Sequence, residues 1–148
     1  MAKRRPAKNI STAKKRTWKV VSKYIRLKHA RNGIVKCVTC DTTARAFGGG
    51  VDCGHFIHGL TYELDEQTGK LSVLESNLWP QCSSCNMDSG RGPDYTLHMI
   101  DYYGRDHIEW LRSLRHKPIK VKPQAYFDLE TELLDAIEDM ERNTFNAG

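Results

Sequence analysis

The sequence has 148 residues, the length of one domain, and its 39% hydrophobic and 28% charged residues are typical of a soluble folded protein. No run approaches the roughly 18 apolar residues of a membrane span, and the N-terminus leads into no apolar signal segment, so we expect a cytoplasmic protein without membrane contact. The net charge of +5 is uneven, because residues 1–31 hold twelve of the 23 Lys and Arg residues and no acidic residue. Since Lys and Arg displace counterions from phosphates, this basic end predicts a nucleic-acid partner.

The basic end contains two predicted segments. Residues 1–16 include Pro6 and few apolar side chains, which predicts a disordered basic arm. From Thr17 to Arg31, apolar residues recur at three- and four-residue spacing, with Lys and Arg between them. We therefore expect a helix that packs by one face and offers phosphate contacts with the other.

The middle of the chain changes to short β-prone segments, which predict hairpins at 34–38, 51–57 and 70–74. Pro93 then begins a helical pattern that ends at Gly104, and a short helix follows around 108–114. The pattern predicts an α+β domain over residues 17–116. Residues 117–148 are expected to form a linker and a C-terminal amphipathic helix over about 128–142, which packs on the domain or on a second subunit.

Two C-x2-C pairs, Cys37 with Cys40 and Cys82 with Cys85, predict a structural zinc site. Two such pairs supply the four thiolates of a tetrahedral zinc, and disulfides are disfavoured in a reducing compartment. The alternatives are unrelated buried thiols or redox motifs, but neither pair has the βαβ setting of a redox motif. The fifth cysteine, Cys53, is interpreted as a small buried side chain on a strand.

Between the pairs lie Asp52 and His55, and Asn86 directly follows Cys85. Asp and Asn oxygens suit a hard cation such as Mg²⁺, and a neutral His can take a proton from water. These are the components of a one-metal phosphodiesterase, provided that Asp52 and His55 lie on a strand that faces Asn86. Taken alone, a His on an apolar strand is more often a packed core residue.

The order of these motifs resembles that of a known protein family. D-x-G-H-F-I at 52–57 is followed by N-L-x-x-Q-C-x2-C-N at 77–86 and by a Tyr95-bearing helix that ends at Gly104. Over about residues 34–114 the chain resembles the phage NinG (Rap) recombination endonucleases, and it is more distantly similar to endonuclease VII, a junction resolvase. The resemblance implies an HNH-type, ββα-metal (His-Me finger) core and Mg²⁺- or Mn²⁺-dependent cleavage of branched DNA such as Holliday junctions.

The resemblance also implies residue roles. His55 would be the general base, Asn86 a metal ligand, and Asn77 the residue that braces the loop holding the base. The sequence departs from the endonuclease VII pattern at Gly54, where the metal carboxylate would stand. Asp52 lies on the same strand face and is the favoured substitute, with the alternatives Glu75, Asp88 and His58.

Three functions account for these features to different degrees. An endonuclease accounts for the cysteine pairs, the basic end and the Asp52, His55 and Asn86 set, and a homodimer would suit paired cuts. A non-catalytic zinc-containing DNA-binding function explains the cysteine pairs and the basic end, but it does not explain why Asp52, His55 and Asn86 occur together. A protein-interaction module that uses the acidic last helix explains that helix alone.

Overall fold

The structure is a computed structural model that describes residues 10–47 and 49–146, with side chains described up to residue 143. The described chain confirms the predicted α+β class. Its elements in chain order are α1 (Ile10–Lys28), β1 (Ile34–Lys36), β2 (Thr43–Arg45), β3 (Val51–His55), β4 (Tyr62–Leu64), β5 (Leu71–Val73), β6 (Leu78–Cys82), α2 (Ser83–Met87), α3 (Gly92–Tyr103), α4 (Arg105–Ser113) and α5 (Pro123–Asn146). None of the helices in this described part is long and apolar enough to cross a membrane.

Helix α1 begins at Ile10 rather than at the predicted Thr17. Small side chains continue its buried face, since Ala13 and Thr17 are both buried and the Thr17 hydroxyl donates to the Tyr126 carbonyl at 3.3 Å. The predicted disordered arm is therefore wrong for residues 10–16, and its residues 1–9 lie outside the described residues. The helix ends at Lys28, before the predicted end at Arg31.

The chain divides into two compact units, and the first comprises residues 1–24, 62–73 and 119–148. In it, β4 and β5 form an antiparallel hairpin, and α5 packs against β5. Arg16 of α1 pairs with the buried Glu130 of α5 at 3.3 Å. The C-terminal segment is thus not a separate appendage: α5 extends beyond the predicted range of 128–142 and is built into one unit with the first part of α1.

The second unit comprises residues 25–61 and 74–118 and contains every residue of the predicted site. It holds the hairpin β1–β2 and the antiparallel strand pair β3–β6, which has an unbroken register from Val51 opposite Cys82 to His55 opposite Leu78. Strand β6 was not predicted, because Pro80 interrupts its β-prone run. Pro80 lacks a donor, but its carbonyl accepts a hydrogen bond from the Val38 backbone at 3.0 Å, which ties the first cysteine loop to β6.

Helices α3 and α4 supply the main core of the second unit, close to the predicted ranges. The buried side chains of this core are Leu74, Tyr95, Met99, Ile108 and Leu111. Tyr95 also carries a polar group into the core, and its hydroxyl donates to the Gly54 carbonyl at 2.8 Å. The core therefore fixes the position of β3, the strand that bears Asp52 and His55.

Candidate functional site

The four predicted zinc ligands come together in the structure. The sulfur atoms of Cys37, Cys40, Cys82 and Cys85 all lie within 4.8 Å of one another, and those of Cys40 and Cys82 are 3.8 Å apart. A tetrahedron with zinc–sulfur bonds of about 2.3 Å has edges of about 3.8 Å. The cluster can therefore hold a metal ion such as zinc, as the spacing predicted.

Short local structures present the two cysteine pairs. The first pair lies in a turn after β1, closed by hydrogen bonds from the Cys37 amide to Thr42 and from the Asp41 amide to Cys37. The second pair spans the junction of β6 and α2. There Cys82 is the N-cap of α2, and its sulfur accepts a hydrogen bond from the Cys85 amide at 3.5 Å. Each pair is thus held by backbone hydrogen bonds.

The ionisation of these thiols favours a cation among them. Burial opposes the Cys37 thiolate, but hydrogen bonds from Thr39 and from the Cys82 and Cys40 backbone outweigh it and lower its pKa to about 6. The Cys85 amide favours the Cys82 thiolate, yet burial and the neighbouring sulfurs raise the Cys82 pKa to about 12. A cation among the sulfur atoms would stabilise the Cys82 thiolate against these neighbours.

Cys53 lies outside the cluster of metal-ligating groups found in the described part of the chain. It is buried on β3, and burial raises the pKa of its thiol to about 12. A thiol in this environment stays protonated and behaves as a small apolar side chain.

The structure brings Asp52 and Asn86 into contact. Helix α2 packs against β3, and the Asn86 side-chain amide donates to Asp52 Oδ2 at 3.2 Å. These oxygen-bearing side chains have the chemistry of ligands for a hard divalent cation. To bind one cation together, the Asn86 amide must rotate so that its oxygen replaces its nitrogen beside Asp52.

His55 is the last residue of β3, and its Nε2 lies 2.9 Å from the Thr61 hydroxyl oxygen. Burial, with a smaller contribution from His58, lowers the pKa of His55 to about 4, so the ring is neutral at physiological pH. Side chains alternate along a strand, so Asp52 and His55 leave opposite faces of β3. The expectation that both face Asn86 is thus met at Asp52, whereas the His55 side chain leaves the other face of β3.

Asn77 is fully buried, and its side chain makes hydrogen bonds to the loop that follows His55. Its Oδ1 accepts from the Ile57 amide at 2.9 Å, and its Nδ2 donates to the carbonyls of Ile57 at 2.9 Å and Leu60 at 2.7 Å. The side chain therefore fixes the backbone immediately after the candidate base.

The three alternative metal ligands have different surroundings. Glu75 pairs with Lys28 at 2.9 Å, and Asp88 pairs with Arg91 at 3.2 Å. His58 is exposed in the loop after β3. The hydrogen bond from Asn86 to Asp52 accordingly favours Asp52 over these alternatives.

Gln81 is a residue that the sequence reasoning did not single out. Its side chain is fully buried, and its Nε2 donates to the Thr39 hydroxyl at 3.2 Å and to the Gly90 carbonyl at 2.8 Å. A β-carbon on Gly54 would lie 2.2 Å from Gln81 Oε1 and 2.9 Å from Gln81 Cβ. The carboxylate of the endonuclease VII pattern therefore does not fit at position 54, and the glycine itself was the available signal of a close neighbour.

Comparison with known proteins gives one family. The model of the NinG family, described as bacteriophage lambda NinG protein, matches residues 1–143. No curated protein and no solved structure matches the chain. The family match extends beyond residues 34–114, where the motifs carry the resemblance, and includes α1 and most of α5.

Proposed function

The chain belongs to the NinG family, and from this membership and the geometry of the second unit we propose that it is a metal-dependent DNA endonuclease that cleaves branched recombination intermediates. The observation that carries the proposal is the hydrogen bond from Asn86 of α2 to Asp52 of β3. The four-cysteine cluster, which includes Cys82 and Cys85 at the start of α2, lies next to this contact in the sequence. The NinG family is associated with phage recombination, which supports branched DNA as the substrate. The pairing of β3 with β6, and the position of α2 directly after β6, support a ββα-metal core in this proposal.

In this proposal Asp52 and Asn86 hold a divalent cation, Mg²⁺ or Mn²⁺, which would stabilise the negative charge that develops at the phosphate. His55 is neutral and accepts a proton from the attacking water, and its contact with Thr61 orients the ring. Because Asp52 and His55 leave opposite faces of β3, the phosphate would have to lie at the end of the strand, beside the loop that Asn77 holds, to meet both side chains.

The DNA backbone would be bound by basic side chains. On α1, Lys14, Lys15 and Lys19 are exposed, and the helix has no acidic residue in its first turn. Lys and Arg contacts to phosphate position a protein on DNA without reading its sequence. We therefore expect binding through α1 to depend strongly on salt and little on sequence.

The experiment that tests the proposed activity compares cleavage of a synthetic four-way junction and a linear duplex by zinc-loaded protein, with Mg²⁺, with Mn²⁺ or with neither cation added. Wild-type protein should cut the junction when a divalent cation is present. His55→Ala should lower the rate by about 10²-fold or more, with unchanged zinc content and junction affinity, because a general base acts mainly in the transition state.

His116→Ala is the matched control, because His116 is exposed, and it should cut normally. A folded His55→Ala protein that cuts at the normal rate would exclude this mechanism. If wild-type protein binds junctions tightly but does not cut them with either cation, the alternative of a non-catalytic zinc-containing DNA-binding protein is correct.

The proposed DNA contacts have a separate test. Replacing Lys14, Lys15 and Lys19 with Gln should weaken junction binding at all sequences and reduce the slope of log K against log salt by about 0.9 for each phosphate that is no longer neutralised. Lys23→Gln is the control on the same helix, because Lys23 is paired with Glu141 at 3.0 Å. Equal salt slopes for the triple variant and wild type would show that α1 does not bind phosphate.

A further inference from the structure

Only the nitrogen of the Gln81 side-chain amide has hydrogen-bond partners among the described residues. Its Nε2 donates two hydrogen bonds, whereas its Oε1 is buried and has no hydrogen-bond partner among the described residues. A buried carbonyl oxygen without a partner typically costs on the order of 1–3 kcal/mol. An orphaned acceptor in an otherwise well-bonded side chain points to a ligand that donates to it or coordinates it.

This oxygen lies on the face of the β3–β6 strand pair that carries Asp52. Gln81 is directly opposite Asp52 in the β3–β6 register, so both side chains leave the same face of the strand pair. Gly54 belongs to the same face, and Gln81 Oε1 occupies the space where a β-carbon at position 54 would be. The amide oxygen therefore stands where the resemblance to endonuclease VII expects a carboxylate.

We propose that Gln81 Oε1 is an oxygen ligand of the divalent cation that Asp52 and Asn86 hold. The inference rests on the proposed function, because it assumes that cation. Amide oxygens are suitable ligands for Mg²⁺ and Mn²⁺, and a cation at this position gives the buried oxygen its missing partner. Glycine at position 54 then has a physical reason, since any side chain there would displace the ligand oxygen.

The same amide connects the two candidate metal sites. Gln81 Nε2 donates to Thr39 Oγ1, which lies 3.4 Å from Cys37 Sγ. The zinc cluster would thereby fix the orientation of the amide and keep Oε1 directed toward the face of Asp52. Gln81 would thus be both a ligand and the link that lets the zinc cluster position the second cation.

The test is direct Mn²⁺ binding to zinc-loaded full-length protein without DNA, followed by the electron paramagnetic resonance signal of free Mn²⁺. Gln81→Met, which keeps a side chain of similar length without the oxygen, should weaken Mn²⁺ binding about tenfold or more. Gln67→Met is the matched control, because Gln67 is exposed in the β4–β5 turn, and it should change Mn²⁺ affinity by less than about twofold. Thr39→Val removes one partner of Nε2 and leaves Oε1 in place, so it should weaken Mn²⁺ binding less than Gln81→Met does.

Asp52→Asn separates the two proposals. If Asp52→Asn weakens Mn²⁺ binding and zinc-loaded Gln81→Met does not, Gln81 is not a ligand and the endonuclease proposal stands. If neither change affects Mn²⁺ binding, the proposed cation site itself is wrong.

A second measurement uses the wild-type protein and so does not depend on a variant that folds. On titration with Mg²⁺, the side-chain carbonyl ¹³C resonance of Gln81 should shift and saturate together with that of Asn86. The resonance of Gln67, which is exposed in the β4–β5 turn, should not move. Movement of Asn86 without Gln81 would overturn the inference.

Discussion

The second unit contains two candidate metal sites that differ in how their ligand atoms are satisfied. The four sulfur atoms lie within 4.8 Å of one another, and burial with the neighbouring sulfurs raises the pKa of the Cys82 thiol, so a cation would stabilise its thiolate. Asp52 and Asn86 instead satisfy each other through a hydrogen bond. We therefore expect the first site to need its metal in order to fold, whereas the second, if it binds the proposed cation, would be folded before the cation arrives.

The largest expected effect is the loss of the zinc site. Cys82→Ser should abolish zinc binding and unfold the second unit, because structural zinc contributes about 10–16 kcal/mol of apparent binding free energy to folding. Serine is itself a good N-cap, so the change keeps the cap of α2 and isolates the loss of the thiolate. Elemental analysis for zinc and circular dichroism measure the two outcomes.

Cys53→Ala is the control for that experiment, because Cys53 is buried outside the cluster. It should retain about one zinc per chain and a cooperative unfolding transition. A folded Cys82→Ser protein without zinc would contradict a structural role for the metal.

The second effect concerns the frame around His55, which is held by hydrogen bonds instead of metal. Asn77→Ala should lower the free energy of unfolding by on the order of 3 kcal/mol, because it leaves an N–H and two carbonyls of the loop after β3 without their partner. Urea unfolding of the zinc-loaded proteins measures the change.

Asn86→Ala removes one hydrogen bond at a half-buried position and should cost less than about 1 kcal/mol. Equal destabilisation by the two variants would show that Asn77 is not a special brace of this loop. Cleavage by Asn77→Ala should also fall, since the backbone after His55 would no longer be fixed.

The sequence predicted the zinc ligands better than it predicted the strands around them. Cysteine spacing is a strong local signal, because two C-x2-C pairs have few uses other than a metal. Strand β6 was missed because Pro80 breaks its pattern, and its pairing with β3 is a contact between distant parts of the chain. The apolar pattern places the start of α1 too late because Ala13 and Thr17 bury small or polar side chains that do not stand out as apolar.

The residues of the candidate site also differ in how well the sequence predicted them. Asp52 and Asn86 were predicted to be neighbours from the zinc-linked order of the motifs, and their hydrogen bond agrees. Gln81 is part of the motif at 77–86 but was assigned no role, because that role depends on a buried oxygen and on the missing side chain of Gly54. Sequence can therefore indicate which residues meet, while unsatisfied groups become visible only in three dimensions.

The third effect tests whether His55 is folded in its neutral form. The pKa of His55 falls from 6.5 to about 4, mainly through burial, so between these values the unfolded chain binds a proton that the folded protein does not. Stability should therefore fall as the pH decreases, with a contribution from His55 of about 2 kcal/mol between pH 7 and pH 5. His55→Gln should lose less stability over this range, and identical pH dependences would show that His55 titrates normally. Urea unfolding at pH 5, 6 and 7 measures this contribution.

The smallest effect is the stabilisation by the exchangeable cation. A ligand that binds the folded state stabilises it by RT ln(1 + [L]/Kd), or about 1.4 kcal/mol when Mg²⁺ is tenfold above its Kd. Thermal unfolding of zinc-loaded protein should therefore shift upward modestly with Mg²⁺, and removal of the Mg²⁺ by dialysis should reverse the shift. Asp52→Asn keeps an oxygen for the hydrogen bond from Asn86 but removes the charge, so it should unfold like the wild type without Mg²⁺ and gain little when Mg²⁺ is added. A Mg²⁺ shift as large in Asp52→Asn as in the wild type would mean that the cation binds elsewhere. The β3–β6 strand pair would then not contain the exchangeable metal site.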